Sequence, residues 1–342
     1  MRSVKVLVTG GTGFTGSHSV RALLAEGHEV RLLVRDPTKV ARVFEPHGLA
    51  LRDVVVGDMT NEAAVDMALA GCDGVVHAAA LVDLRASAAR LVEQTNARGV
   101  ELVVGGAARR GIPSIVYVSS LSVFFAPGGP VLTPALPIAP ATTAYARSKA
   151  DAERYARRLQ HEGAGVRISY PAGIIGPDDP GLTDANHAVY SFFRDLGVIT
   201  SSGFQVVDVR DVAALHVKLL ELPPGGPYRY AAAGETLPWA EVYALLDRLT
   251  GLRVRRIRMP GPLLRAAGSV GDLVKRLYEF NFPLTRDSME FATRWPGADA
   301  SRTTRELGVA FRPAEDSYRD LLRWMYRAGH LGAHQVGRLA EG

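Results

Sequence analysis

The chain has 342 residues, 47% hydrophobic and 22% charged, the balance of a globular protein large enough for an extensive core. Its net charge of +5 is spread along the chain, with no lysine/arginine block interleaved with aromatics, which argues against a nucleic-acid binder. The single cysteine, Cys72, excludes an internal disulfide and a multi-cysteine metal site. No apolar run reaches about 18 residues, so no segment is expected to span a membrane, and without a signal-peptide pattern the expected location is the cytoplasm.

In chain order, strands alternate with helices. VKVLVTG at 4–10 is a continuous apolar run, the pattern of a parallel strand buried on both faces. Residues 13–26 carry Val20, Leu23 and Leu24 at helical spacing, with Gly27 as a stop. Further strands are predicted at 28–36, 52–58, 74–80, 114–120 and 165–171. A long helical stretch is predicted over 87–110, and another helix starts where Thr142 or Thr143 can cap it. FQVVDVRDVAAL at 204–215 reads as one more strand, then a helix capped by Asp211. The alternation predicts an α/β fold with a doubly wound parallel sheet. A dinucleotide-binding domain is expected over 1–170, with 204–222 returning to it. A smaller substrate lobe is expected over 171–203 and 223–330, and a frayed tail over 331–342.

TGGTGFTG at 9–16 joins the first strand to the first helix. Gly10, Gly13 and Gly16 suit a tight turn, a bare backbone beside a pyrophosphate, and a helix amino terminus aimed at the anion. The second strand ends in Val34-Arg35-Asp36. An acidic side chain there would take the ribose hydroxyls of NAD; Arg35, with Lys39 in reach, suits the 2′-phosphate of NADP. NADP(H) is favoured and NAD(H) stays open. Asp58, just past the third strand, is placed either at the adenine amino group or as a helix cap before Asn61.

TTAYARSKADAE at 142–153 sets Tyr145 four residues before Lys149, so on a helix both project from one face. Ser119, Ser120 and Ser122 stand at the carboxyl end of the fifth strand, where open α/β sheets hold ligands. A tyrosine with its ordinary pKa of about 10 must be lowered by about 3 units, about 4 kcal/mol, to move a proton near neutrality. One cation at about 4 Å supplies about 1 kcal/mol in bulk water and about 4 near a protein surface. The pair therefore works only if the smaller lobe covers it.

The runs TGGTGFTG, GDM, HAAA, VSSLSV, YARSK, YPAGIIGP and VDVRDVA follow one another over most of the chain. Together they resemble the extended short-chain dehydrogenase/reductases of the NAD-dependent epimerase/dehydratase family, on the dihydroflavonol-reductase and 3β-hydroxysteroid-dehydrogenase branch. The resemblance implies that Tyr145 is the acid/base and that Lys149 holds the nicotinamide ribose and lowers the tyrosine pKa. Ser120 would orient the substrate oxygen, with Ser122 as second choice. It also implies a cofactor-binding set: Gly10, Thr12, Gly13, Phe14, Thr15 and Gly16 in the loop; Arg35, Lys39, Asp58 and Met59; Ala78 and Ala79 after the fourth strand; Tyr145 and Lys149; and Pro171, Gly173 and Ile174 beside the nicotinamide. His77 is expected to pack against the cofactor without doing chemistry. Asn96 resembles a helix-kinking asparagine, although a polar helix surface explains it equally well. A homodimer built from the helices near 87–110 and 143–162 is expected on the same ground.

Three reactions share this machinery. A dehydratase would need an acidic pair where Leu121 and Ser122 stand, so it is set aside. An epimerase would keep one NAD and return the hydride. The expectation here is a reductase that exchanges NADPH and takes a small carbonyl compound or the matching alcohol. Phe192, Phe193, Leu277, Tyr278, Phe280 and Phe282 could line an apolar pocket, though most read more simply as core. Tyr170 stands where sugar-nucleotide members of the family often carry arginine, and Phe124-Phe125 where Tyr-Gly is usual. Both departures suit a less polar ligand. A cofactor-binding sensor without catalysis is a third class, disfavoured because Tyr145 and Lys149 are both present. The amphipathic stretch 262–280 is expected to pack on the smaller lobe rather than attach to a membrane.

Overall fold

The computed structural model describes residues 3–83, 86–141, 143–275 and 285–341; the side chains of Ala86, Ala144, Tyr145 and Lys275 are outside that description. Along the chain run strands β1 (Lys5–Thr9), β2 (Glu29–Val34), β3 (Val54–Val56), β4 (Gly74–His77), β5 (Ser114–Val118), β6 (Val166–Pro171), β7 (Gly173–Ile175), β8 (Gly197–Ile199), β9 (Gly203–Asp208), β10 (Arg229–Ala232), β11 (Thr236–Pro238) and β12 (Arg256–Arg258). Seven of them form one sheet in the order β10-β6-β5-β4-β1-β2-β3, and every pairing in it is parallel.

Alternation along β1 explains the two layers. Val6 and Val8 point into one core with Val20 and Leu23 of the helix Phe14–Ala25 and Val212 and Leu215 of the helix Val209–Glu221. Leu7 points into the other, with Val65 of the helix Glu62–Leu69, Val100 of Ala89–Val100, and Ala152 and Ala156 of Ala144–His161. A period of two on a strand covered from both sides is what a doubly wound sheet requires. The chain proceeds outward from β1 to β3, then crosses back to β4. That places the reversal of strand order between β1 and β4, the crevice where such sheets take ligands.

Three expectations are corrected. β10 lies inside the stretch expected to belong to the smaller lobe, yet Arg229–Ala232 pairs with β6 and closes the main sheet. The helix Val209–Glu221 is capped by Asp208, which accepts the Arg210 N–H, and not by Asp211. β9 runs straight into the helix, so the cap falls on the last strand residue, while Asp211 sits in the first turn and accepts the Arg312 backbone N–H. The terminus is not frayed: Val336 and Leu339 are buried in a third core with Tyr243, Tyr318 and Leu322, and Arg338 donates to the Leu249 carbonyl. Phe192 and Phe193 pack against this third core, Phe192 with its ring 5.3 Å from that of Tyr243.

Three histidines are built into these layers. His216 bridges Ser19 and Ser169 at 2.8 and 2.9 Å, His77 meets Thr9 at 2.7 Å, and His18 meets the Pro177 carbonyl at 3.0 Å. Burial lowers His216 and His77 to about 3 and His18 to about 4, with Lys149 adding to the effect on His77 and Arg21 on His18. All three stay neutral in the fold and take up protons on unfolding near pH 6.5. Their contribution is therefore present above about pH 6.5 and lost as the pH falls towards 3–4. Urea unfolding should show stability dropping below about pH 6, each histidine approaching about 1.4 kcal/mol per pH unit. A flat profile from neutrality down to about pH 5 would contradict these neutral histidines.

Candidate active site

The loop after β1 is shaped by what its glycines leave out. Gly10 has φ +72, a backbone that side-chain-bearing residues rarely adopt, and a Cβ there would lie 2.7 Å from the Ala79 nitrogen. A Cβ on Gly16 would lie 2.1 Å from the Gly10 carbonyl oxygen. Loop, helix and the Ala78–Ala79 segment are therefore packed backbone to backbone. Gly13 is exposed at the cap of the helix Phe14–Ala25, and its N–H is turned back to the Gly10 carbonyl at 2.9 Å. The Phe14 side chain is buried, edge-on to His18, so only its backbone faces the loop. This bare, helix-capping cradle fits the pyrophosphate of a dinucleotide.

At the end of β2, Asp36 is engaged through Oδ1. Its carboxylate accepts the Thr38 N–H at 3.0 Å and hydroxyl at 2.6 Å, and the Thr38 hydroxyl holds its pKa below the ordinary value. Arg35 is 75% exposed, its Nε 4.0 Å from Asp58 Oδ2. Lys39 is exposed one turn on. Asp58 is no helix cap: it accepts the Thr60 N–H and hydroxyl, and Asn61 caps the following helix through the Ala64 N–H. Met59 packs on the core beside Gly99. Asn96 is buried, not on a polar surface; it clamps Leu81 through both its carbonyl and N–H and donates to Ser148. It ties the loop after β4 to the tyrosine-bearing helix.

Ser120 caps the short turn Leu121–Phe124, accepting the Ser122 N–H at 3.2 Å and hydroxyl at 2.9 Å. With both those bonds accepted, its own O–H is left to donate. The turn packs against the helix Ala144–His161, which Thr143 caps by accepting the Ala146 N–H at 3.1 Å; Thr142 lies outside the described residues. Tyr145 is the second residue of that helix, and its phenol is outside the described side chains. Lys149 follows one turn later, 9% exposed. Burial lowers its pKa to about 8, with Glu153 pulling the other way. Pro171, Gly173 and Ile174 follow at the carboxyl end of β6, Ile174 packed on the core shared with β1.

Glu153 is the residue that reading the sequence missed, although its place four residues beyond Lys149 signals the same helix face. It is fully buried. One carboxylate oxygen accepts the Tyr170 hydroxyl at 2.5 Å and the Arg157 Nε at 2.6 Å; the other has no hydrogen-bond partner among the described residues. Burial first, and then the Glu153 charge, push the Tyr170 pKa well up, so Tyr170 stays neutral and donates. On the outer side, Phe125 meets Phe291 at 5.2 Å and Trp295 at 5.8 Å. The Leu132 N–H donates to the Gly297 carbonyl, stitching the loop after β5 to the C-terminal part. Leu277, Tyr278, Phe280 and Phe282, expected to line a pocket, lie outside the described residues.

A seven-stranded parallel sheet with a glycine cradle at its strand reversal defines a Rossmann-type nucleotide-binding fold. The pattern of the NAD dependent epimerase/dehydratase family matches residues 6–231, and the chain belongs to that family of enzymes. It is 28% identical over 333 residues to a putative dihydroflavonol 4-reductase of Synechocystis sp., covering 95% of each chain. It is 29% identical to the 4-hydroxy-2-methyl-3-oxo-4-farnesyl-3,4-dihydroquinoline-1-oxide ketoreductase of Stigmatella aurantiaca, covering 95% of this chain and 98% of that one. Its fold is shared with UDP-glucose 4-epimerase from Bifidobacterium longum in complex with NAD+ and UDP, at a TM-score of 0.72 and 20% identity, over 95% and 99% of the two chains.

Proposed function

We infer that the chain is an NADPH-dependent reductase of an apolar ketone or aldehyde, with Ser120, Tyr145 and Lys149 as its catalytic set. The observation that carries the cofactor choice is at the end of β2: Asp36 is engaged by Thr38, and Arg35 stands exposed beside Asp58. An exposed arginine held only by a 4.0 Å pair with Asp58 can fork onto a 2′-phosphate, which favours NADP. The relatives named as reductases support the reaction class, and the Phe125–Phe291–Trp295 cluster beside the Ser120 turn supports an apolar substrate.

The loop residues Gly10, Thr12, Gly13, Phe14, Thr15 and Gly16 would hold the pyrophosphate, and Arg35 with Lys39 the 2′-phosphate. Asp58 and Met59 would border the adenine. Ala78, Ala79, Pro171, Gly173 and Ile174 would wall the nicotinamide end. The bound cofactor supplies the hydride. Ser120 donates a hydrogen bond to the substrate oxygen, and Tyr145 delivers the proton that the oxygen needs as it turns from carbonyl to alcohol. Lys149, cationic at neutral pH in its buried place, holds the ribose and stabilises the phenolate left behind. Residues 171–203 with the part beyond β10 are assigned to the substrate side.

The test is oxidation of NADPH and NADH by the purified chain over a panel of apolar ketones. NADPH should be preferred, and Arg35→Ser should raise the KM for NADPH by about tenfold while leaving that for NADH nearly unchanged. An NAD molecule retained through purification, with no net cofactor oxidation, would overturn the reading in favour of an epimerase.

A further inference from the structure

The helix Gly261–Lys275 does not bury its apolar side as the sequence suggests. Leu263, Val270 and Leu273 are each about 60% exposed, and Val274 is 40% exposed. With Ala266, also exposed, Leu263, Val270 and Leu273 lie at helical spacings of three and four, in one row along the outer face. Inward the helix turns glycines. Gly261, Gly268 and Gly271 are buried, and a Cβ on Gly268 would lie 2.6 Å from the Thr285 carbonyl oxygen. Close packing on the following helix, Arg286–Arg294, thus uses the small residues with half-buried Leu264, and the other large apolar residues face out. A surface helix of a globular protein has the opposite arrangement.

The charges that precede this row in the chain suit one kind of partner. Arg253, Arg255 and Arg258 precede the helix, are all exposed, and form no ion pair among the described residues. Arg258 also borders a surface hollow of about 360 Å³ beside Met259 and Pro260, at the helix start. The first helical turn carries no acidic residue. Asp272, the acidic side chain of the helix, is engaged by the Arg286 N–H. An outward apolar row preceded in sequence by exposed arginines, Arg258 among them at the helix start, has the chemistry of a helix lying in the interface of an anionic bilayer. Among the described residues no helix is long and apolar enough to cross a membrane, so attachment here is to the surface.

We propose that the outer face of Gly261–Lys275 docks the protein on an anionic lipid surface. The proposal rests on the reading of an apolar substrate, because it gives the site a lipid phase to draw from. The docking helix packs on Arg286–Arg294, and Phe291 of that helix meets Phe125, which follows the turn capped by Ser120. The row is thus one helix removed from the proposed reacting carbonyl.

The experiment is sedimentation of the full chain with vesicles of phosphatidylcholine alone or mixed with phosphatidylglycerol, without substrate, against the double variant Val270→Glu, Leu273→Glu. Both positions are exposed and outside the proposed catalytic set, so the variant should keep the thermal midpoint and NADPH affinity. Wild type should bind the anionic vesicles, less so at high salt, and the variant should bind at least about tenfold more weakly. Arg258→Ser should weaken binding to anionic vesicles without affecting the little seen with neutral ones. No binding by wild type, or equal binding by the double variant, overturns the proposal. So does a wild-type dimer that the double variant splits while vesicle binding is absent, which would give the face to a second copy of the chain. Oxidation of NADPH by a water-soluble ketone is read separately, so a failed docking site and a failed reductase are told apart.

Discussion

Tyr145→Phe is expected to lower kcat/KM for carbonyl reduction by about 10²–10⁴-fold, while NADPH binds nearly as before. The variant removes one hydroxyl and leaves the helix, its Thr143 cap and Lys149 untouched. Its effect should fall on kcat, because the proton moves only as the carbonyl oxygen gains charge. The environment supports a large loss. Lys149 is 9% exposed with its pKa lowered to about 8, so at neutral pH it is still mostly cationic. A buried ammonium acts on its neighbours through a low dielectric, where one charge is worth several times its value in bulk water. Lys149 itself is thus covered; the Tyr145 phenol lies outside the described side chains. Steady-state kinetics on the variant, with cofactor affinity from fluorescence titration, gives the answer. Unchanged turnover would remove Tyr145 from the chemistry and leave a nucleotide binder whose reaction, if any, lies elsewhere.

The sequence carried the β1–loop–helix unit because its signals are local: five strand residues, three glycines, then helical spacing. It carried the sheet type for the same reason, since strands covered on both faces read as unbroken apolar runs. It did not carry β10. Arg229–Ala232 is four residues long and reaches β6 only after the intervening β7–β9 and the helix Val209–Glu221. Nothing local marks a short strand as belonging to a distant sheet. Asp211 reads as a cap in the sequence because acidic residues are common both at caps and in first turns, and only the backbone geometry separates them. The outward row of Gly261–Lys275 shows a different limit. Periodicity reveals that a helix has an apolar side; it does not say whether that side faces the protein. The buried glycines on the other side decided it.

The alkaline limb of activity is expected to report on Glu153. Of the charged groups facing Lys149, this carboxylate is the one that raises its pKa against the cost of burial. Glu153→Gln keeps the size and the acceptor for the Tyr170 hydroxyl but removes the charge. The Lys149 pKa should then fall below about 8, and activity that needs its cation should be lost at lower pH. The sign is fixed: in the proposed mechanism Lys149 acts when protonated, so losing a neighbouring negative charge moves the limb towards neutrality and never away from it. Stability should also drop, because Arg157 and Lys149 lose their shared counter-charge. Breaking a fully buried pair costs about 3–5 kcal/mol, but Arg157 keeps 19% of its side chain in solvent, so a smaller loss, about 2–3 kcal/mol, is expected. Tyr170→Phe separates the two effects. It removes the 2.5 Å hydrogen bond to Glu153 and leaves the carboxylate charged, so it should cost stability without moving the limb. Superimposable pH profiles for wild type and Glu153→Gln would show that Glu153 only packs the helix, and that the charge on Lys149 is held by something other than its neighbour one turn away.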